Sequence, residues 1–162
     1  MTTQPADIFE LARLNKADEL KQALTDADVN ATDGRGSTAL IIAAYHNNAE
    51  AVEALLQAGA NPDLQDAMGN SALMGVCFKG YTEIGQQLLQ HNATVDLPNG
   101  NGATALTFAA TFGHIGLIEL LLKHGADRHL RDRFGKSPVD YARVQENIPA
   151  LEILAPELLE DE

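Results

Sequence analysis

Short apolar segments recur along the chain in pairs, and the second segment of each pair ends in two adjacent leucines. These leucine pairs are Leu55-Leu56, Leu88-Leu89 and Leu121-Leu122, and successive pairs are 33 residues apart. The first segment of a pair begins with Ala-Leu at residues 39, 72 and 105, with the same spacing. A fixed 33-residue period with a turn and two short helices per unit predicts a stacked solenoid rather than a globular catalytic domain.

Turn and capping residues follow the same period. The positions that suit a tight turn are Asp33, Asp66, Asn99 and Asp132, each followed three residues later by Gly36, Gly69, Gly102 or Gly135. The hydroxyl residues that suit the start of a helix are Thr38, Ser71, Thr104 and Ser137. Gly59, Asn92 and Gly125 share one position after the second helix, where a left-handed residue commonly ends a helix. The pattern therefore predicts a first helix such as 39–45 and second helices at about 49–58, 82–91 and 115–124.

The repeated residues resemble the ankyrin repeat family. The stretch Asp33-Gly34-Arg35-Gly36-Ser37-Thr38-Ala39-Leu40 is similar to the D-x-x-G-x-T-P-L opening of that family, and Lys123-His124-Gly125-Ala126-Asp127 is similar to its closing motif. The register continues without a slip from Asp33 to about Gln145. The resemblance implies an all-α ankyrin-repeat solenoid of stacked turn-helix-helix units, about five repeats including two atypical caps.

The chain departs from the family pattern at two positions. The proline after the threonine is replaced by alanine in three units and is retained only as Pro138. The histidine after the leucine is replaced by Ile41, Met74, Thr107 and Asp140. We therefore expect the usual Thr–His hydrogen-bonding arrangement to be absent and the turns to be looser, with the fold unchanged.

The units divide a single domain of residues 1–162. We expect an N-terminal cap at 1–32, with helices at about 6–14 and 17–25. Full repeats are predicted at 33–65, 66–98 and 99–131. A C-terminal cap repeat at 132–155, whose second helix begins at Ile148-Pro149, is followed by an acidic tail at 156–162.

Charge limits the classes of partner. The chain has 23 acidic residues against 11 Lys and Arg, a formal net charge of −12. Nucleic acid and anionic membranes attract basic surfaces, so neither is an expected partner. The start of the chain lacks the features of a signal peptide and no apolar run is long enough to span a membrane, which favours a cytoplasmic location while leaving a processed precursor open. With one cysteine, Cys77, no internal disulfide can form; we expect a buried, inert thiol.

The resemblance also implies where a partner binds. In ankyrin repeats the partner is held by the concave face, which consists of the turn tips and the exposed side of the first helices. The side chains of these columns change chemistry from unit to unit, while the leucine pairs do not. By position alone, the candidate protein-binding residues are Arg35, Tyr45, His46, Met68, Phe78, Lys79, Asn101, Thr111, Phe112 and Phe134.

Three features have two interpretations each. Tyr45, Phe78 and Phe112 are either anchors for a partner or side chains packed between repeats. Gly75 and Gly85 take positions where neighbouring units have Ile, Val or Phe, which indicates either volume exchange with a neighbour such as Phe108 or a soft middle repeat. The basic cluster Arg128, Arg131, Arg133 and Lys136 is either a solvated loop or a contact for an acidic partner or the tail.

The sequence contains no catalytic motif, and its five histidines have no second ligand at metal spacing, so no catalytic residue, metal or cofactor is expected. The predicted function is a non-enzymatic protein–protein interaction module whose partner carries basic or apolar patches. The alternative is an inhibitor or immunity-type protein that masks the active site of one enzyme or toxin. The sequence does not indicate an oligomeric state.

Overall fold

A computed structural model describes residues 7–160, which form ten α-helices and one short 3₁₀ helix. The helices are α1 (Ile8–Arg13), α2 (Ala17–Ala23), α3 (Ala39–Tyr45), α4 (Ala49–Gln57), α5 (Ala72–Lys79), α6 (Thr82–Gln90), α7 (Ala105–Thr111), α8 (Ile115–Lys123), α9 (Pro138–Val144), α10 (Ile148–Leu154) and the 3₁₀ helix (Pro156–Leu159). The all-helical prediction is confirmed, and the helix pairs of the middle units agree with the predicted bounds to within one residue.

Helices of the same kind pack on each other from unit to unit. The first helices form one layer in the order α1, α3, α5, α7 and α9, and the second helices form another in the order α2, α4, α6, α8 and α10. The core lies between the layers and is aliphatic: the leucine rows at 40, 73 and 106 and at 55, 88 and 121 are at most 1% exposed. We call the turns together with the outward side of the first helices the first-helix face.

Helix starts use the predicted hydroxyl residues. The side chains of Thr38, Ser71 and Ser137 each accept a hydrogen bond from the backbone N–H three residues later. At the start of α7, the Thr104 backbone N–H donates to Thr107 Oγ1, 3.0 Å away. At the start of α9, Asp140 Oδ2 accepts a hydrogen bond from the Ser137 backbone N–H at 2.9 Å. Two of the residues that replace the family histidine therefore stabilise the helix start, which corrects the expectation of looser turns there.

In the three middle units, a left-handed residue follows each of the two helices. Gly59, Asn92 and Gly125 have φ of 90°, 65° and 87°, as predicted from their shared position after the second helix. A second such position lies between the two helices of a unit, at Asn47, Gly80, Gly113 and Glu146. Glu146, with φ 52°, is the one residue of that set that tolerates this conformation poorly.

Hydrogen bonds also join successive units in the loops that follow the second helices. Asn30 Oδ1 accepts from the Asn61 N–H at 2.8 Å, and Asp63 Oδ1 accepts from the Thr94 N–H at 2.7 Å. Asp96 repeats this bond to the Asp127 N–H at 3.1 Å. Each bond joins residues 31 apart that belong to adjacent units, so the three bonds hold neighbouring units in one register.

The terminal units are smaller. Helix α1 begins at Ile8 with Asp7 as its N-cap, and the predicted start at residue 6 lies outside the described residues. Helix α10 begins at Ile148, as predicted from Ile148-Pro149. In the tail, Leu159 of the 3₁₀ helix packs against the core, and residues 161–162 lie outside the described part.

The space beside Gly85 is filled by a side chain of a neighbouring helix. A Cβ atom at Gly85 would lie 2.7 Å from Leu117 Cδ2 and 3.5 Å from Val76 Cγ1. Leu117 and Val76 are both fully buried, so a side chain at position 85 would press on atoms that are already packed. The structure supports volume exchange at this position, with Leu117 rather than Phe108 as the residue that takes the space.

We expect Gly85→Ala to lower the free energy of unfolding. Overpacking costs roughly 1–3 kcal/mol, which exceeds the helix-propensity gain of roughly 0.5–1 kcal/mol. Gly116→Ala in α8 is the matched control, since its Cβ would meet Thr82 at an ordinary 3.5 Å, and it should gain stability. Urea unfolding of both variants tests this, and a gain in Gly85→Ala would show that Leu117 does not fill the site.

We expect Glu146→Gly to raise the free energy of unfolding by about 1 kcal/mol, because glycine adopts the left-handed conformation without the penalty that Glu146 carries. The matched control is Gln145→Gly, since Gln145 is equally exposed and has φ −82°. It should lose stability. Equal effects in the two variants, measured by thermal and urea unfolding, would contradict the assignment of strain to Glu146.

Candidate functional site

The turn tips of the first-helix face are held by one side chain in each unit. Asp33 Oδ1 accepts the backbone N–H groups of Arg35 and Ser37, both at 2.9 Å. Asp66, Asn99 and Asp132 repeat this pair of bonds in the following units at 2.9–3.0 Å. The residue two positions after each of them is thereby directed outward. These tip residues are Arg35, Met68, Asn101 and Phe134, all exposed.

Neighbouring tips are joined to each other. The Gly100 N–H donates to the carbonyl of Met68 at 3.1 Å, and the Arg133 N–H donates to the carbonyl of Asn101 at 2.8 Å. The Arg133 guanidinium also donates to Asn101 Oδ1 at 3.1 Å and lies 5.4 Å from the ring centre of Phe134. Met68 and Phe134 remain 71% and 65% exposed, so apolar side chains project from two of these tips.

Aromatic side chains follow the tips along the first helices. The rings of Phe78 and Phe112 pack edge to face with centroids 4.9 Å apart, and Phe108 lies 6.4 Å from Phe78. Phe78 is 41% and Phe112 50% exposed. The ring of His114 stacks on Phe112, and its Nε2 donates to the Phe78 carbonyl at 3.1 Å. These bonds hold the two phenylalanines in place while leaving about half of each at the surface.

Tyr45 continues this row in the preceding unit and is 43% exposed. The Lys79 amine lies 4.6 Å from the centre of the Tyr45 ring, and the ring of His46 packs edge to face against it at 5.9 Å. Tyr45, Phe78 and Phe112 together are called the aromatic groove below. Since none of the three is buried, the structure argues against the alternative that they are core residues.

Thr111 differs from the other nine candidates. It is half-buried, and its hydroxyl donates to the carbonyl of Thr107 at 2.6 Å. It therefore offers little to a partner. The other nine candidates are exposed on the first-helix face: four are tip residues, three form the aromatic groove, and His46 and Lys79 lie beside Tyr45.

Sequence reasoning missed a cavity in this face. A cavity of about 270 Å³ opens between α3 and α5, and its mostly apolar wall surrounds Gly75. Its lining residues are Ile41, Tyr45, Asp66, Asn70, Ser71, Ala72, Met74, Gly75, Phe78 and Phe108. Phe108 does lean towards this space but leaves it open, so volume exchange at Gly75 is incomplete. The available signal was the missing side chain at Gly75, next to two aromatic positions.

Charge is divided between the two layers. Turns and first helices carry seven acids and eight bases, which nearly balance: Asp7, Glu10, Asp33, Asp66, Asp132, Asp140 and Glu146, against Arg13, Lys16, Arg35, Lys79, Arg131, Arg133, Lys136 and Arg143. Second helices and the loops after them carry fourteen acids: Asp18, Glu19, Asp26, Asp28, Glu50, Glu53, Asp63, Glu83, Asp96, Glu119, Asp127, Glu152, Glu157 and Glu160. Only Lys21, Lys123 and Arg128 oppose them there.

This division bears on the expectation of a partner with basic patches, which stays a prediction. The acidic excess belongs to the opposite layer, and the cations Arg35 and Lys79 lie on the first-helix face itself. Electrostatic attraction of a basic partner to the aromatic groove therefore has little support. A partner with an apolar patch remains supported by the exposed rings.

The basic cluster is largely engaged within the chain. The Arg128 guanidinium donates to the Leu154 carbonyl at 2.8 Å, at the end of α10. Arg131 donates to the Gly135 carbonyl at 2.7 Å and pairs with Asp140 at 3.3 Å. These bonds tie the last turn and helix to their neighbours, which favours a structural role over a partner contact for both arginines.

Three further features of residues 7–160 bear on chemistry. Burial of Cys77 raises the pKa of its thiol, so the thiolate needed for reactivity is disfavoured. Within this part of the chain no group of three or more His, Cys, Asp or Glu side chains is arranged to hold a metal ion. None of the helices found in it has the length and apolarity that crossing a membrane requires.

Comparison with known families decides the classification. The family model described as ankyrin repeats (3 copies) matches residues 8–99 and 73–160, which together cover most of the chain. The chain belongs to the ankyrin repeat family. Its repeats therefore indicate a protein–protein interaction module, and the family is generally non-enzymatic.

Two curated proteins are similar to part of this ankyrin chain. Both are named mitochondrial disaggregase, one from Bos taurus and one from Homo sapiens, and each is 42% identical over 64 residues. The alignment covers 39% of this chain but 10% and 9% of the two relatives. The shared segment is thus about a tenth of the relatives' length.

The last ankyrin unit contains a polar pair that the other units lack. The Tyr141 hydroxyl donates a short hydrogen bond to Oδ2 of the buried Asp132. Burial and this bond raise the pKa of Tyr141 to about 12. Burial alone would raise the pKa of Asp132, but the bonds from Tyr141 and from the Lys136 and Phe134 N–H groups outweigh it and lower the pKa below its usual range.

We expect Tyr141→Phe to lower the free energy of unfolding by about 1–3 kcal/mol, because Asp132 Oδ2 then stays buried without a donor. Urea unfolding at several pH values measures the difference from the wild type.

That difference should be constant at neutral pH. It should shrink as the pH falls through the lowered pKa of Asp132, since the protonated carboxyl no longer needs the donor. It should also shrink as the pH rises from about 10 to about 12, where Tyr141 loses its proton. A difference independent of pH throughout would contradict the coupling of these two groups.

Proposed function

We propose that the chain binds a partner protein through the aromatic groove on its first-helix face. The observation that carries this proposal is the row of half-exposed rings of Tyr45, Phe78 and Phe112 at the ends of three consecutive first helices, in which Phe78 and Phe112 pack edge to face at 4.9 Å. Aromatic side chains that are rigid and partly exposed are typical anchors at protein interfaces, since they bury a large area at a small cost in conformational entropy.

The tips extend the proposed surface. Met68 and Phe134 project from two turns of the same face, and Asn101 on the turn between them carries an amide that can form polar contacts at the rim. An interface of this kind combines a central apolar cluster with a polar edge. The partner expected here presents an apolar patch, and its own charges need to fit a face on which acids and bases nearly balance.

The alternative is that the bound partner is an enzyme or toxin whose active site the chain covers. Both alternatives use the same surface, so they differ only in the effect on the partner. Identification of the captured protein, followed by an assay of its activity with and without the chain, separates them. Loss of the partner's activity at stoichiometric amounts supports the inhibitor, and unchanged activity supports an adaptor.

We expect Phe112→Ala and Phe78→Ala each to weaken partner binding by about 2 kcal/mol, roughly 30-fold in dissociation constant. Isothermal titration with the captured partner measures this. Ile148→Ala is the matched control, because Ile148 is also 49% exposed but begins a second helix. It should bind normally.

The stability of each variant is needed beside its affinity. Because the rings are half-exposed, their removal should change the melting temperature little. If Phe112→Ala and Ile148→Ala bind the partner as tightly as the wild type, the aromatic groove is not the binding surface.

A further inference from the structure

The cavity at Gly75 lies inside the aromatic groove, between Tyr45 on one side and Phe78 on the other. It exists because Gly75 has no side chain: a Cβ atom built there meets only Tyr45 Cδ2, at an ordinary 3.6 Å. A larger side chain would therefore fit at this position without a clash at its base. The cavity is the space that such a side chain would take.

The other repeats show what occupies this position when it is filled. The equivalent residues, 33 apart, are Ile42, Gly75, Phe108 and Tyr141. In the last unit Tyr141 lies in the corresponding place and donates its hydroxyl to Oδ2 of Asp132. The equivalent of Asp132 in the unit of Gly75 is Asp66, which lines the cavity.

Asp66 is held in the same orientation as Asp132. Its Oδ1 accepts the Met68 and Asn70 N–H groups, both at 2.9 Å, and Asp132 Oδ1 accepts from Phe134 and Lys136 at 2.9 and 3.0 Å. The second oxygen of the two carboxylates therefore points the same way. Among residues 7–160, no side chain or backbone group donates to Asp66 Oδ2, whereas Asp132 Oδ2 has Tyr141.

We propose that this cavity receives a tyrosine side chain of the partner protein, whose phenol donates to Asp66 Oδ2 and whose ring lies between Tyr45, Phe78 and Phe108. The partner's tyrosine and Asp66 would form between two chains the hydrogen bond that Tyr141 and Asp132 form within one chain. This inference rests on the proposed function, since it names the side chain that the groove takes.

Two other occupants fit less well. A phenylalanine would fill the apolar space but would cover the Asp66 carboxylate without a donor, which is costly. A lysine or arginine could pair with Asp66, but the Lys79 amine already lies over the Tyr45 ring at 4.6 Å and would repel a second cation at the rim. A phenol can donate a hydrogen bond to the Asp66 carboxylate while its ring packs against the apolar wall of the cavity.

The probe for the test is p-cresol, the side chain of tyrosine, and toluene is its counterpart without the hydroxyl. Titration of the ¹⁵N-labelled chain, followed by the amide shifts of Gly75 and Phe78, measures both dissociation constants. We expect p-cresol to bind about tenfold more tightly than toluene, because the bond to a carboxylate is lost with the hydroxyl.

Variants locate the site. Asp66→Asn keeps the turn, since Asn99 makes the same two Oδ1 bonds in its own unit, and should weaken p-cresol about tenfold without affecting toluene. Asp33→Asn is the matched control, because Ile42 fills that unit's position, and should change nothing. Gly75→Phe should abolish binding of both probes, because the phenylalanine ring would occupy the cavity.

Three results would overturn the inference: equal binding of p-cresol and toluene, tighter binding of tetramethylammonium or methylguanidinium than of p-cresol, or no saturable shift with p-cresol at all. Phe112 is not part of the cavity wall, so Phe112→Ala tests the groove separately. If p-cresol fails while Phe112→Ala still weakens partner binding, only the inference fails. If p-cresol binds as expected while Phe112→Ala leaves partner binding unchanged, the proposed function fails.

Discussion

The first-helix face depends on one repeated interaction, in which a single side-chain oxygen accepts two backbone N–H groups of its own turn. Asp33, Asp66, Asn99 and Asp132 all make this pair of bonds at 2.9–3.0 Å. The bonds satisfy donors that the turn cannot pair with other backbone groups, and they direct the tip residue outward. Since one oxygen suffices, an aspartate keeps a second oxygen that each unit can use differently.

The use of that second oxygen depends on one position in the first helix. Tyr141 bonds to it in the last unit, the equivalent position holds Ile42 in the second unit, and Gly75 leaves it open in the third. A repeat protein can thus create a site by removing a side chain rather than adding one. The stack tolerates the loss because neighbouring helices hold the unit through the fully buried leucine rows.

The fold was predictable because its causes recur at a fixed spacing. Asp33, Gly36 and Leu55 each return after 33 residues, so the turn, the left-handed residue and the core leucine confirm one another in a single chain. The exposure of Tyr45, Phe78 and Phe112 was also predictable, since the two adjacent columns to which they belong vary while the core columns do not. Whether such a column binds a partner depends on the partner's surface, which a repeat pattern does not contain.

Features that depend on contacts between units were not predictable. The helix pattern indicates that Gly85 lacks a side chain, but not that Leu117 Cδ2 lies where its Cβ would be. The division of charge, by contrast, follows from helix bounds that the sequence already predicts, although the net charge of −12 alone gives no direction. The missing hydroxyl partner of Asp66 becomes visible when two units are compared in three dimensions.

The division of charge between the layers makes the molecule an electric dipole across its stack, with the negative end at the second helices. Such a dipole aligns a protein in an external field before any contact forms. Near a positively charged matrix or a polycationic support, the second helices face the charged material and the aromatic groove faces the solution. The chain therefore carries its own means of oriented attachment, which leaves the first-helix face free when the opposite face is occupied.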